Sequence, residues 1–353
     1  MSPPPVPAVH VVVPCALRAA AADAGRRNLR FLGLESLLLH AELEASDDSL
    51  EQATARMIGV AGRTVPIGAL RRGGVDPVGA RDGFWICADP VATHLAVDNM
   101  LLAPAGAIEP AEAAAIIAML NDEFGRDGLL FVADDARHWH VRCDVDQAVA
   151  TTPLWRAIGT PVRGLMPAGD VGRTWTRRLN EVQMMLHEHP VNAARAAASR
   201  APINSLWWWG EGRWPTFESA QIDGVVGGPS WLAAACLAND VAHAPANPGL
   251  ALEHARSGRS VAWIVEDDWE VSAATPVEER LRDWDASVFA PLSAALAARH
   301  VAAATVLFDD AGTVLRVHCR SAPRTVATTL RRWIGHAEPA PTSLADSLSR
   351  LGP

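Results

Sequence analysis

The sequence predicts an α/β core with a smaller α+β domain inserted into it. Three observations lead there. Short apolar runs at 9–13, 260–265 and 303–308 read as buried strands,. Stretches of helical periodicity alternate with these runs toward both ends of the chain. Between them, residues 84–143 follow a β-β-α-β-β order, which suits a separate small unit.

Taken in order, the proline-rich residues 3–7 read as an extended start,. The run 9–13 is the first strand, and 16–24 reads as helix or loop. Leu34, Leu37, Leu38 and Ala41 share one face of a helix expected at 34–44,. Ser49 and Gln52 form a capping-box pair that opens a helix at 49–59. Gly73-Gly74 and Asp76-Pro77 mark 68–83 as a loop and boundary,. Strands are expected at 84–88 and 94–102, with Asp89-Pro90 turning between them. A helix at 109–124 carries Pro110 in its first turn, and 129–133 and 139–143 form a strand pair. Six prolines and glycines make 151–170 loop-rich,. A helix at 174–187 places Leu179, Val182, Met185 and Leu186 on one face and stops before Pro190. Leu206 to Trp209 is a buried strand cut off by Gly210 and Gly212,. A helix at 230–239, the strand 260–265 and a long helix at 276–299 follow. Strands 303–308 and 314–319 flank an Asp-Asp-Ala-Gly turn, and a helix at 323–334 precedes a low-order tail. This division assigns 1–80 and 171–337 to the core, 81–170 to the inserted domain and 338–353 to the tail.

Composition excludes several chemistries. All 31 basic residues are arginine and there is no tyrosine. Schiff-base and pyridoxal enzymes, Walker-A nucleotide sites and protein kinases all need a lysine amine. A net charge of −9 disfavours nucleic acid as a partner,. Five scattered cysteines without a Cys-x-x-Cys pair indicate neither a disulfide framework nor a zinc knuckle,. No apolar run is long enough to span a bilayer, and the start lacks a basic leader region. The expectation is a cytoplasmic protein without a membrane partner. Thirteen tryptophans, clustered at Trp207, Trp208, Trp209 and Trp214, read as core packing rather than a base-stacking platform,.

The most informative stretch is His-Pro-Val-Asn-x-x-Arg at 189–195, followed by Pro-x-Asn-Ser-Leu-Trp-Trp-Trp-Gly-Glu-Gly at 202–212. With Cys87-Ala88-Asp89-Pro90-Val91, Leu120-Asn121-Asp122-Glu123-Phe124 and Arg137-His138-Trp139, it resembles the archaeal-type cofactor-independent phosphoglycerate mutases. Closer still is its resemblance to the RpfE-type bacterial regulatory protein family, a mutase-like branch. The similarity covers residues 84–237. It implies an alkaline-phosphatase-like three-layer core. It also implies two divalent metals held by Asp and His, with a Ser or Thr nucleophile carrying the phosphoryl group.

The ligand positions depart from that pattern. The first apolar run ends Pro14-Cys15-Ala16 where the family has Asp-Gly. Cys15 reads as a core or strand-end thiol rather than a nucleophile, and Ser36 is an uncertain match to the nucleophile region. After the strand at 261–265 the family has Asp and, four residues on, His; here Glu266-Asp267-Asp268 precede Val271 and Ser272. Asp309-Asp310 likewise lack a histidine. Asp267, Asp268, Asp309 and Asp310 remain as a possible all-oxygen set for magnesium or manganese, or else mark turns and helix starts. His138/His140 and His187/His189 lack an identifiable third ligand. Arg137, His138, Asn192, Arg195 and Asn204 are the candidate ligand-binding residues, because guanidinium forks suit phosphate or carboxylate. On residue type alone, the asparagines serve equally as caps and the arginine as a carboxylate's partner. The expected function is that of a degenerate, non-catalytic mutase-like protein that binds a small anionic or phosphorylated molecule in a regulatory role. An active mutase or phosphatase with displaced metal ligands, and a structural interaction protein, are the alternatives.

Overall fold

The computed structural model describes residues 8–17, 20–22, 27, 29–39, 41–96, 99–147, 149–310 and 312–320. The start at 3–7, the helix at 323–334 and the tail at 338–353 lie outside them, and 16–24 lies partly outside. Twelve strands are described: β1 (Ala8–Ala16), β2 (Glu42–Ser46), β3 (Phe84–Ala96), β4 (Asn99–Pro104), β5 (Leu129–Ala133), β6 (Trp139–Cys143), β7 (Ser205–Gly212), β8 (Gly224–Val226), β9 (Ala242–Ala244), β10 (Val261–Ile264), β11 (Ala303–Asp310) and β12 (Thr313–Arg320).

Seven strands form the first sheet, in the order β2-β12-β11-β1-β10-β8-β9. β11, β1, β10, β8 and β9 run parallel, while β12 and β2 add antiparallel strands at one edge. The parallel strands are apolar because both faces are covered. Period-two alternation sends Val9, Val11 and Val13 into one core and Val12 into the other,. The first core includes Leu34 and Leu37 of the helix Leu32–Leu38 and Leu292 of Ala290–Ala297. The second includes Leu50, Leu70 and Leu232 from the helices Leu50–Met57, Ile67–Gly73 and Ser230–Ala238. Helices on both faces make the expected α/β, three-layer arrangement.

The second sheet runs β4-β3-β6-β5, with β7 also paired to β3. The helices Pro110–Phe124 and Gly169–Glu188 supply Ile116, Leu120, Trp175 and Val182 to its core. β7 follows residue 170, where the sequence division places the core, yet it pairs with β3 from Trp85 to Val91. Strand pairing therefore carries this unit on to Gly212. Leu206 and Trp208 point into its core, whereas Trp207 and Trp209 point into the second core of the first sheet. The tryptophan run thus packs on both sides and joins the two units.

Four expected elements differ. The strand expected at 94–102 is divided: its start ends β3 and its end lies in β4, which runs antiparallel to β3. Asp89-Pro90 is no turn: β3 continues through it to Ala96. β6 leaves β3 after Cys87 and β4 joins at Val91, so the missing proline N–H falls between two ladders,. Residues 67–73 form a helix rather than a loop. The glycines there serve close packing: a Cβ on Gly68 would lie 3.1 Å from the Cys87 nitrogen of β3. The helix expected at 34–44 stops at Leu38, and Glu42–Ser46 is edge strand β2. The Ser49–Gln52 capping box forms as expected. Among the described residues no helix is long and apolar enough to cross a membrane.

Candidate functional site

Open parallel sheets bind ligands beyond the carboxyl ends of their strands. Here the second sheet stands over the ends of β8 and β10, and a cleft runs between the units. β10 ends at Ile264, and Glu266, Asp267 and Asp268 lead into the short helix Trp269–Ala273. Trp269 anchors that helix. It is buried and packs edge-on against Trp155 at 5.6 Å and Trp231 at 6.4 Å between ring centres. The anchored turn presents Glu270 to the cleft.

Behind Glu270 lies a buried charge network. The helix Ile67–Gly73 brings in Arg71, only 5% exposed. Its two terminal nitrogens donate to both oxygens of Asp89, at 2.6 and 3.0 Å. Arg71 Nε donates to His140 Nε2 at 3.0 Å, and Trp209 Nε1 donates to Asp89 Oδ2 at 2.7 Å. Because His140 accepts at Nε2, its proton belongs on Nδ1, which lies 3.3 Å from Asp134 Oδ2,. Burial, then Arg71, pushes the His140 pKa well below the usual imidazole range, so the ring is neutral,.

The β5–β6 loop supplies the other wall. Asp135 accepts from the backbone amides of Arg137 and His138 at 2.7 and 2.8 Å and faces His138 Nδ1 at 2.7 Å. Burial opposes its charge, but these hydrogen bonds hold Asp135 well below the usual carboxylate range. The fixed loop aims Arg137 across the cleft, where Nη1 donates to Asp268 Oδ2 at 2.9 Å. No described residue takes a hydrogen bond from the other two guanidinium nitrogens of Arg137. The cleft has two lobes, which share His138 and Glu270.

Glu270 is the titratable group of interest. No described side chain hydrogen-bonds its carboxyl. Burial raises its pKa to about 7; Arg71 opposes this, while Asp89 and Asp268 add to it,. The folded-state value lies above the ordinary one, so the associated stability is complete at low pH and is lost as pH rises through 7. Glu270→Gln is therefore expected to match the wild type near pH 4 and to be more stable by about 1–3 kcal/mol at pH 8. Denaturant unfolding at several pH values checks this, and a difference independent of pH would remove the assignment.

The sequence candidates divide. Arg137, His138, Asp267 and Asp268 line the cleft. Asn192, Arg195 and Asn204 do not, and their polar groups hold the fold. Asn192 donates to the carbonyls of Leu186 and Ile203 and accepts from the Ile203 amide. Arg195 pairs with Glu112 at 2.7 Å, and the Asn204 side chain accepts from the Thr93 amide and donates to the Thr93 carbonyl. Arg71, Asp89 and Glu270 were not singled out from sequence. Glu270 stands four residues after Glu266, the spacing at which the resemblance places a histidine.

The four aspartates are not brought together as one set. β1 separates β10 from β11, so their ends are two interstrand spacings, ~10 Å, apart,. Asp267 instead accepts from the Gly228 amide at 2.9 Å, and Asp309 pairs with Arg156 at 2.8 Å. Among the described residues no three His, Cys, Asp or Glu side chains converge to hold a metal ion. This donor set does not fit the paired metals that the resemblance implies. His189 caps the helix Pro190–Ala197, accepting from the Val191 amide at 3.2 Å. Cys15 is buried, which pushes its thiol up to about 12 and leaves no thiolate for attack,.

No family model matches the chain. Over 115 residues it is 30% identical to the 2,3-bisphosphoglycerate-independent phosphoglycerate mutase of Methanosarcina barkeri, covering 32% of this chain and 29% of that protein. The enzyme of Methanosarcina acetivorans is 29% identical over 146 residues, covering 39% and 37%. A probable enzyme of this kind from Geobacter sulfurreducens is 27% identical over 116 residues, covering 33% and 29%. The chain thus spans about a third of the length of the curated relatives it matches. Among solved structures, the cofactor-independent phosphoglycerate mutase from Thermoplasma acidophilum aligns over 90% of both chains, at 16% identity and a TM-score of 0.38. The PH0037 protein from Pyrococcus horikoshii aligns over 95% of this chain and 99% of that one, at 12% identity and a TM-score of 0.47. On the sequence matches, the chain is a distant homologue of the cofactor-independent phosphoglycerate mutases.

Proposed function

We propose that this is a mutase-like protein whose inter-sheet cleft binds a small anionic or phosphorylated ligand in a regulatory role, as the RpfE-type resemblance implies, without two-metal phosphoryl transfer. One observation carries the reading: Arg137, its guanidinium only partly committed to Asp268, meets His138 and Glu270 where the two lobes join. A planar guanidinium is suited to two parallel hydrogen bonds with phosphate or carboxylate. Below about pH 7 Glu270 is mostly protonated, so it donates to an anion rather than repelling it. The substituted metal-ligand positions support a binding role over turnover.

Calorimetric titration with 3-phosphoglycerate and inorganic phosphate tests the reading. Arg137→Ala is expected to weaken binding about 10- to 100-fold, the value of one or two charge-assisted hydrogen bonds. Absence of binding by both anions would remove the ligand role. Mutase turnover with added manganese would remove the non-catalytic one and restore an enzyme with displaced ligands.

A further inference from the structure

We infer that the ligand of this cleft is a phosphate or carboxylate carrying a compact apolar body, a class that excludes phosphoglycerate itself. The inference rests on the anion-binding reading above and adds the other half of the molecule. The lobe beside β3 and β4 is walled by Pro90, Val91, Pro104, Ala105, Ile108 and Leu154. Its polar side chains lie toward the junction with the other lobe: His138 and Glu270 line both lobes, Arg137 precedes His138, and Asp89 is paired with Arg71, which lines the other lobe. An anion held at that end points whatever it is attached to along the apolar walls. An apolar lining with a few placed polar groups is the usual form of a small-molecule site.

These walls are held rigidly. Val91 lies in β3 between its two ladders. The Ala105 carbonyl accepts from Arg195 Nη2 at 2.8 Å, and the Ala107 carbonyl from Nη1 at 3.0 Å. The Gly159 amide donates to the Leu102 carbonyl at 2.9 Å, which ties the segment after Leu154 to β4. A wholly polar phosphoglycerate bound at Arg137 would leave this lobe to water against apolar surface, a loss that an apolar substituent recovers.

The test is calorimetric titration of the full chain with methyl, propyl and butyl phosphate, and in parallel with acetate, butyrate and pentanoate. Affinity is expected to rise about three- to fourfold per added methylene in whichever head-group series binds, so butyl phosphate exceeds methyl phosphate by roughly thirty- to sixtyfold. Ile158 also lines this lobe, and Ile158→Trp, which fills it, is expected to abolish that increment while methyl phosphate binds as before. Leu154→Ala, which widens the lobe, serves as a second variant and reduces the increment. Equal affinities along a series, with phosphate still bound through Arg137, would overturn the apolar body and leave the anion site standing. No binding in either series overturns both.

Discussion

Arg195→Ala is expected to lower the free energy of unfolding by about 3–5 kcal/mol, as read by urea denaturation. The guanidinium is 1% exposed and works as a four-way clamp. Nε donates to the Ala201 carbonyl at 2.7 Å, Nη2 to Ala105 at 2.8 Å, and Nη1 to both Ala107 at 3.0 Å and Glu112 at 2.7 Å. Truncation takes this donor from the Ala105 and Ala201 carbonyls and opens a side-chain-sized space. An unsatisfied buried acceptor costs about 1–3 kcal/mol, but Arg200 retains its own bonds to Glu112 and Ala107, which caps the total. Arg195→Lys keeps the charge without the planar fork, and an intermediate loss is expected. By contrast, Arg137→Ala removes an exposed ion pair worth about 1 kcal/mol or less. The two arginines therefore separate cleanly: Arg195 by stability, Arg137 by affinity. A loss below 1 kcal/mol at Arg195 would mean that water substitutes for the clamp.

The contrast between these arginines also shows how far the sequence could be read. Valine and isoleucine runs report burial directly, so β1, β10 and β11 were legible. The Ser49–Gln52 box is a local signal and was legible too. Arg137-His138 stood out by its place in a recognisable stretch. What failed depends on partners far along the chain. Gly68 and Gly73 read as loop residues because glycine breaks isolated helices, whereas here β3 and Trp214 press against the sites where a Cβ would be. With that helix hidden, Arg71 was hidden as well. Asp89-Pro90 reads as a turn by dipeptide chemistry; only the change of partner along β3 makes the proline tolerable. Asn192 and Arg195 carry no local mark that distinguishes a ligand contact from a fold contact, since both uses exploit the same donors. Glu270 is marked by desolvation and by charges on separate elements, none of them visible in the residues beside it.

The buried pair at the back of the cleft yields the second large effect. Asp89→Ala is expected to destabilise the protein by about 3–5 kcal/mol, because it strands the Arg71 guanidinium in a site 5% exposed,. Burial works against the Arg71 charge, and the Asp89 carboxylate outweighs it, holding the arginine firmly protonated. Arginine cannot escape by losing its proton, so the stranded charge must draw in water or distort the Ile67–Gly73 helix. Two further donors lose their acceptor as well, the Trp139 amide at 3.1 Å and Trp209 Nε1 at 2.7 Å. Asp89→Asn keeps the shape but turns an amide NH2 toward the guanidinium and is expected to rescue only part of the loss. The informative comparison is Arg71→Met combined with Asp89→Leu. Replacing both partners by apolar groups removes the stranded charge, so the double variant is expected to be more stable than Asp89→Ala alone. Being buried, the pair is expected to respond little to added salt, unlike the Arg137–Asp268 pair at the mouth. If the double variant were no better than the single, the cost would lie in the lost hydrogen bonds to Trp139 and Trp209, not in the buried charge.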